Sequence, residues 1–330
     1  MKLYNSIDEF ASAGIAKTIV TTGTFDGVHL GHKVVLKRIK ELAEKKGLQS
    51  VLLTFNPHPR TVLFPDKGAM QFLSTFAEKE ALLKEAGIEH LIVHPFTREL
   101  SQVSAYDYVQ NILVGKLHAK TLVIGHDHRF GRNREGSIKE LKEWGPQLGF
   151  EVEEMNPFKS GEVTISSSKI RRAITEGDML TANTYLGYTY GLHAKVVHGL
   201  NIGGKELGYP TANLEVEDQN KIIPGDGIYA VYVSVEGIRN KEQGVSKDIS
   251  LTPYSIPLFK GMMSIGLNPT VEGKGRSMEV HIFDFDNTIY DKHLTVLFHK
   301  KIRNEEKFSS MDALKRQMDN DKEVTLKLLA

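Results

Sequence analysis

Over the first 150 or so residues, short apolar runs alternate with longer amphipathic stretches. Ile19–Thr22, Ser50–Phe55, His90–His94 and Thr121–Ile124 are brief and nearly continuous in their apolar character, as buried strands are. Between them, Lys33–Lys46, Ala77–Ala86 and Ala105–Leu113 carry apolar residues at helical spacing. Strand, helix and strand repeated in this way predict an α/β, Rossmann-like doubly wound parallel sheet. Such sheets bind ligands at the carboxyl ends of their strands.

The period changes after about Leu186. Gly191–Val197, Gly227–Val235, Gly261–Ile265 and Met278–Phe285 alternate as strands do, separated by loops rich in glycine and proline. A small antiparallel barrel or sandwich is the expectation. The final stretch, roughly Leu294–Leu329, is charged and helical in spacing at Met311, Leu314, Lys315 and Met318, with Ser309 or Ser310 as a cap. The helical segment Ser168–Gly177 and the run Asn183–Tyr190 form the join, which divides the chain into domains 1–183 and 184–330. Lys241–Leu258 is longer and less patterned, and reads as a surface insertion.

Composition narrows the class without changing this picture. A chain of 330 residues exceeds one ordinary core, which agrees with two domains. A net charge of +1, with no basic arm, gives no sign of nucleic-acid binding. No apolar run approaches the roughly 20 residues of a spanning helix, and the first residues are not those of a signal peptide. The absence of cysteine excludes disulfides, thiolate catalysis and Cys-bound zinc. A cytoplasmic enzyme acting on small molecules is expected, with no nucleic-acid or membrane partner and room for a weak homo-oligomer.

Thr18–Lys33 reads as strand, glycine turn and helix, and it contains Gly23–His32, GTFDGVHLGH. A helix starting near Val28 or His29 aims free N–H groups and its positive end at a phosphate. His29 and His32 lie three apart, on one side of the first turn. Two imidazoles there can donate to triphosphate oxygens, and bind more tightly as charge builds on departing pyrophosphate. Such a transfer needs no protein nucleophile, since the attacking group is already a phosphate. Two further loops share the same rim: Asn56-Pro57-His58-Pro59 after Ser50–Phe55, and Gly125–Gly131, GHDHRFG, after Thr121–Ile124. In Ile165–Arg172, ISSSKIRR, hydroxyls at a helix start with arginine one turn on form a second phosphate cradle.

Two motifs in the second half are decoys. Gly199–Lys205 fits most of a phosphate-binding Walker loop, but Glu206 stands where a magnesium-binding hydroxyl belongs. Asp284, Asp286 and Thr288 imitate an aspartyl-phosphatase nucleophile motif, yet only 42 residues follow Thr288, too few for that fold. The stretch Gly208-Tyr209-Pro210-Thr211-Ala212-Asn213 survives, because Thr and Asn can offer oxygen ligands to Mg²⁺ beside ATP. Alternation places Glu279, His281 and Phe283 on one strand face, and a carboxylate in such a strand is either edge-exposed or functional.

Taken together, GTFDGVHLGH, NPHP, GHDHRFG and SSSKIRR resemble the adenylyltransferase module of the bacterial FAD synthetase family. KVVHGLNIGGKELGYPTANL, GIYAVYV, SIGLNPTVEG and EVHIFDF match riboflavin kinase in order. The resemblance implies a six-stranded antiparallel β-barrel with a terminal helix for the second half. It also implies ATP as co-substrate, riboflavin, FMN and FAD as substrates and products, and Mg²⁺ for both reactions. Carried over, ATP binding at the first site falls on Gly23, Phe25, Asp26, His29, His32, Asp127, Ser167, Ser168 and Arg171, with His29 and His32 catalytic. Asn56, Pro57, His58 and Arg129 become flavin-binding candidates. At the second site Gly208, Thr211 and Asn213 handle Mg·ATP, Thr211 as metal ligand, and Glu279 is the base. The family often has threonine at the position of Ser168, which keeps the hydroxyl, and phenylalanine at that of His128, which puts a stacking role there in doubt. Two readings compete: a nucleotidyltransferase for another phosphorylated acceptor, and a barrel that binds flavin without catalysis.

Overall fold

The computed structural model describes residues 1–68, 70–160, 163–198, 208–238, 258–267 and 276–330. These fall into two compact units, one of Met1–Met70 with Ser74–Ser166, the other of Gln71–Leu73 with Ser167–Ala330.

The first unit runs β1 (Lys2–Tyr4), α1 (Ile7–Ala11), β2 (Thr18–Thr22), α2 (Leu30–Lys46), β3 (Gln49–Phe55), α3 (Pro59–Leu63), α4 (Phe76–Glu85) and β4 (His90–His94). It continues through α5 (Arg98–Ser101), α6 (Ala105–Asp107), β5 (Ala119–Gly125), α7 (Ile138–Leu148) and β6 (Glu151–Met155), then the small hairpin of β7 (Lys159–Ser160) and β8 (Val163–Thr164). Six strands form one sheet in the order β1-β4-β3-β2-β5-β6, every pairing parallel. The expected doubly wound sheet is therefore present. All five residues of central β2 are buried, as coverage of both faces requires. Edge strands β1 and β6 escape the apolar pattern because one has three residues and the other, Glu-Val-Glu-Glu-Met, is largely acidic. The expected helix Ala105–Leu113 is wound differently: α6 passes into a π-helical stretch, Tyr108–Lys116.

Local chemistry sets the helix ends that matter for the site. His29 caps α2, Gly47 closes it in the left-handed region, and Leu36, Ile39, Leu42 and Ala43 bury its inner face. Thr75 and Glu78 form a reciprocal capping box on α4.

The second unit begins with α8 (Ser167–Glu176) and α9 (Met179–Leu186). Then come β9 (Gly191–Val197), β10 (Ala212–Glu215), β11 (Gly227–Val235), β12 (Phe259–Leu267), β13 (Arg276–Ile282), β14 (His293–Arg303) and the terminal helix α10 (Met311–Leu328). The strands close into an antiparallel barrel, β10-β13-β12-β11-β14-β9. Here the helical expectation for Leu294 onward fails. His293–Arg303 is the eleven-residue strand β14, and Leu294 to Phe298 are all buried where it pairs with β11 and β9. Lys300, Lys301 and Arg303 at its far end mask the strand period with charge. Helix begins only at Met311, capped by the side chain of Ser310. The Walker-like Gly199–Lys205 and, apart from Leu258, the insertion Lys241–Leu258 lie outside the described residues.

Candidate active sites

At the end of β2 the Gly23 N–H donates to the Leu53 carbonyl at 3.1 Å, which holds the turn to the neighbouring strand. Phe25 (φ 47°), Gly27 (φ 76°) and Val28 (φ 36°) then reverse the chain. Positive φ is free for glycine, whereas at a β-branched valine it stores strain of the kind that clusters at functional turns. The turn is clamped by Ser74, whose backbone N–H donates to Asp26 Oδ1 (3.3 Å) and whose Oγ accepts from the Gly27 N–H (3.1 Å). His29 is extended, and its Nδ1 accepts from the His32 backbone N–H at 3.4 Å, so a neutral ring carries its proton on Nε2.

The imidazoles of His29 and His32 stack with centroids 3.7 Å apart, and Phe25 lies 4.7 Å from His32. Gly31 permits this closeness, since a Cβ there would come within 3.2 Å of His29 Nδ1 and Cε1. That contact is the physical content of the glycine between the two histidines. His32 Nδ1 is buried without a hydrogen-bond partner. Burial first, then His29 and Lys79, push the His32 pKa well below the ordinary histidine range. His32 is accordingly neutral at pH 7. An orphaned buried nitrogen costs about 1–3 kcal/mol and persists where a ligand completes it.

The other rim loops converge on the same strand ends. His128 Nε2 lies 3.1 Å from Thr22 Oγ1, and its ring stacks nearly parallel to Phe130 at 6.0 Å. Burial pulls its pKa down to about 4, so this histidine is neutral as well. Asp127 and Arg129, on either side of it, are exposed, while His126 pairs with Glu154 at 2.9 Å. The Asn56 N–H donates to the His94 carbonyl at 3.1 Å; Asn56 and Pro57 are exposed. His58 caps α3, its Nδ1 accepting from the Arg60 N–H at 3.1 Å. Lys79 joins this rim unannounced by the sequence, donating to the Thr24 carbonyl and to Thr54 Oγ1 at 3.4 Å each. Only the docking of α4 beside the turn reveals it, because no motif contains it. Ser167 opens α8 in the second unit, Ser168 beside it is exposed, and Arg171 is half-buried one turn on.

In the barrel, β10 and β13 place Asn213 opposite Glu279, and Thr211 Oγ1 donates to Glu279 Oε2 at 3.1 Å. β13 is bonded on both sides, to β10 and to β12, so no sheet edge accounts for a carboxylate there. Gly208 takes φ 77° in the approach to Tyr209 and Pro210. His281, on the same face of β13, points its Nδ1 at the Pro210 carbonyl, 2.7 Å away, and so holds the loop one residue before Thr211. Burial lowers its pKa against that hydrogen bond, leaving the neutral donor form. Tyr209 donates to Asp319 Oδ1 on α10 at 2.5 Å, with its pKa raised to about 12 by burial and by that carboxylate. Asp284 turns the chain after β13 with φ 53°, inside a barrel unit, which removes the aspartyl-phosphatase reading. Hydroxyl, amide and carboxylate oxygens, as Thr211, Asn213 and Glu279 supply, form a donor set suited to a hard cation such as Mg²⁺. Among the described residues no group of three or more His, Cys, Asp or Glu could hold a metal.

A Rossmann-like unit with a stacked HxGH pair and a closed barrel with a Thr–Glu pair give the chain one candidate site in each unit. Sequence models of two families match it: FAD synthetase over residues 12–169 and riboflavin kinase over 186–329. The bifunctional riboflavin kinase/FMN adenylyltransferase of Escherichia coli K12 is 33% identical over 321 residues, covering 97% of this chain and 96% of that one. The enzyme of the same name from Listeria monocytogenes is 35% identical over 308 residues, covering 93% and 91%. A crystal structure of a macrolide-efflux protein from Streptococcus pneumoniae matches 98% of both chains with a TM-score of 0.82 and 30% identity. Among the described residues no helix is long and apolar enough to cross a membrane. The chain belongs to the bifunctional riboflavin kinase/FMN adenylyltransferase family, enzymes of flavin cofactor synthesis.

Proposed function

We propose that residues 1–183 adenylylate FMN and residues 184–330 phosphorylate riboflavin, with the following division of labour. At the first site a phosphate oxygen of FMN attacks the α-phosphorus of ATP, and the bond to pyrophosphate breaks with its electron pair on the leaving group. Nε2–H of His29 and the N–H of His32 donate to the phosphate oxygens, and the strengthening of those bonds on the leaving pyrophosphate lowers the barrier. Gly23, Phe25 and Asp26 shape the turn that receives ATP. Asp127, Ser167, Ser168 and Arg171 contribute further ATP contacts. Asn56, Pro57, His58 and Arg129 are assigned to the flavin.

At the second site Glu279 accepts the proton of the terminal ribityl hydroxyl of riboflavin. The oxygen attacks the γ-phosphorus of ATP, and ADP departs with the electron pair of the broken bond. Thr211 and Asn213 would hold Mg²⁺, with Gly208 giving the phosphates room. When bound, the ion neutralises phosphate charge. The hydrogen bond from Thr211 keeps the Glu279 carboxylate aimed, and His281 keeps the Thr211 loop in place.

The observation that carries this reading is the Thr211–Glu279 pair on a strand without an edge, which supports catalysis over flavin binding alone. Cytoplasmic location, small-molecule substrates and a weak homo-oligomer complete it. Purified protein given riboflavin, ATP and Mg²⁺ should form FMN and then FAD, with ADP and pyrophosphate as by-products. Failure to phosphorylate riboflavin, or to adenylylate supplied FMN, would remove the corresponding half.

A further inference from the structure

Lys79 stands on the first turn of α4, just inside the capping box of Thr75 and Glu78. Its ammonium reaches two neighbouring strand ends at once. Thr24, whose carbonyl it contacts, belongs to the turn between β2 and α2; Thr54 is the penultimate residue of β3, two before Asn56. Lys79 thus sits between the ATP turn and the start of the loop assigned to the flavin. Both of its hydrogen bonds are 3.4 Å, beyond the optimum for N–H···O, and the ammonium also lies 5.8 Å from the centroid of the Phe76 ring.

The chemistry of the site leaves a place for such a group. A phosphate monoester attacking a triphosphate brings two anions together, and their repulsion must be offset where they meet. His32 does not supply that charge, because burial holds it neutral. Lys79 is a cation close enough to His32 to help keep it neutral, and Asp26 on the turn works to keep the proton on Lys79. The same desolvation that lowers the lysine pKa strengthens its pull on any phosphate that arrives.

We propose that the Lys79 ammonium binds phosphate oxygens at the point of adenylyl transfer, between the attacking flavin phosphate and the α-phosphate of ATP. The role rests on reading the first unit as the adenylyltransferase, and it is catalytic in the strict sense of touching the reacting groups. A lysine that served only to pack α4 against the turn would have no need of its charge.

The test uses the full chain with Lys79→Met and Lys79→Arg, assaying FAD formation from FMN and riboflavin phosphorylation on the same preparations. Lys79→Met should lower kcat for FAD formation by about 10²-fold, the scale of losing one charge-stabilising donor. Riboflavin phosphorylation should stay within about twofold of the parent enzyme. Lys79→Arg should recover at least about tenfold of the loss and extend the alkaline limb of the pH profile upward, since guanidinium does not deprotonate there. Facing groups Asp26, His32 and Glu78 are unchanged in all variants, so a shift of that limb belongs to position 79. A rise confined to KM for FMN supports the contact and locates it on the flavin phosphate; one confined to KM for ATP locates it on the α-phosphate. Unchanged kcat and KM in Lys79→Met overturn the proposal. So does an arginine variant as inactive as the methionine one with an equally lowered melting temperature, the mark of a packing role. A parent enzyme that makes no FAD removes the adenylyltransferase reading itself and the role of Lys79 with it.

Discussion

The two sites of this chain are built on opposite plans. In the first unit the candidate histidines belong to a single turn, Gly23–His32, and backbone geometry does most of the positioning. His29 caps its own helix, Gly31 lets the rings stack, and burial keeps His32 uncharged. In the barrel the hydroxyl and the carboxylate that meet, Thr211 and Glu279, are 68 residues apart and are joined only by strand register. A site assembled by local turning announces itself as a contiguous motif. A site assembled by register exists only once the sheet has closed.

The sharpest way to break this comparison is to disable one plan and watch the other. Glu279→Gln keeps a hydrogen-bond acceptor for Thr211 but no base, and riboflavin phosphorylation should fall about 10²-fold or more. FAD formation from supplied FMN should be untouched, because additivity holds for independent sites. Rates measured separately for the two reactions decide the matter: a parallel loss in both would mean the sites are not independent. His32→Leu is the mirror experiment, with FAD formation reduced by about 10²-fold and kinase activity kept. This variant also removes an unsatisfied buried nitrogen, so its melting temperature should hold or rise while activity is lost. A marked drop in stability would mean that the histidine packs more than it binds.

A stability probe sharpens the barrel side. Arg303 on β14 makes a forked pair with Asp321 on α10, and the aspartate is only 2% exposed. Gln317 donates to the same carboxylate at 2.8 Å. Asp321→Ala leaves the half-buried guanidinium without its carboxylate and should cost about 3 kcal/mol. Chemical denaturation followed separately through FMN formation and FAD formation should show the kinase reaction lost first. Loss of both at one midpoint would show that the units unfold together.

The same contrast explains what could be read from the residues alone. Strands β2 to β5 carry short apolar centres that are buried in the sheet, so period and position agree. β14 reads as helix in the sequence because its charged end, Lys300 to Arg303, overlies the alternation of Leu294 to Phe298. The HxGH turn, the rim loops and Glu279 are visible as residue types in order. Lys79 is not, and His281 shows in the sequence its strand face but not its hold on the Pro210 carbonyl, since such contacts come only from what folds against them. Motifs carry the groups that a local turn positions; tertiary packing supplies those that position them from elsewhere.

The smallest effect tests how far neutrality of the first site's histidines is built into its stability. His128 titrates near 6.5 when unfolded and at about 4 in the folded unit, because burial disfavours its charged form. Between those values the unfolded chain binds a proton that the folded unit refuses, so stability declines as pH falls from 6.5 toward 4. Above 6.5 both states are neutral and the term vanishes. His32 acts with the same sign. Phenylalanine at 128, frequent in the resembling family, keeps a ring against Phe130 and cannot take up a proton. His128→Phe should therefore flatten the acid side of the stability profile, leaving the slope owed to His32, and lose slightly near pH 7.5 for the Thr22 contact. Melting temperatures of the first unit at pH 4.5 and 7.5 provide the comparison. An unchanged difference between the two pH values would show that His128 takes up its proton equally well in the folded unit. Since His281 lies in the barrel, the pH dependence of that unit should not respond to the substitution at all.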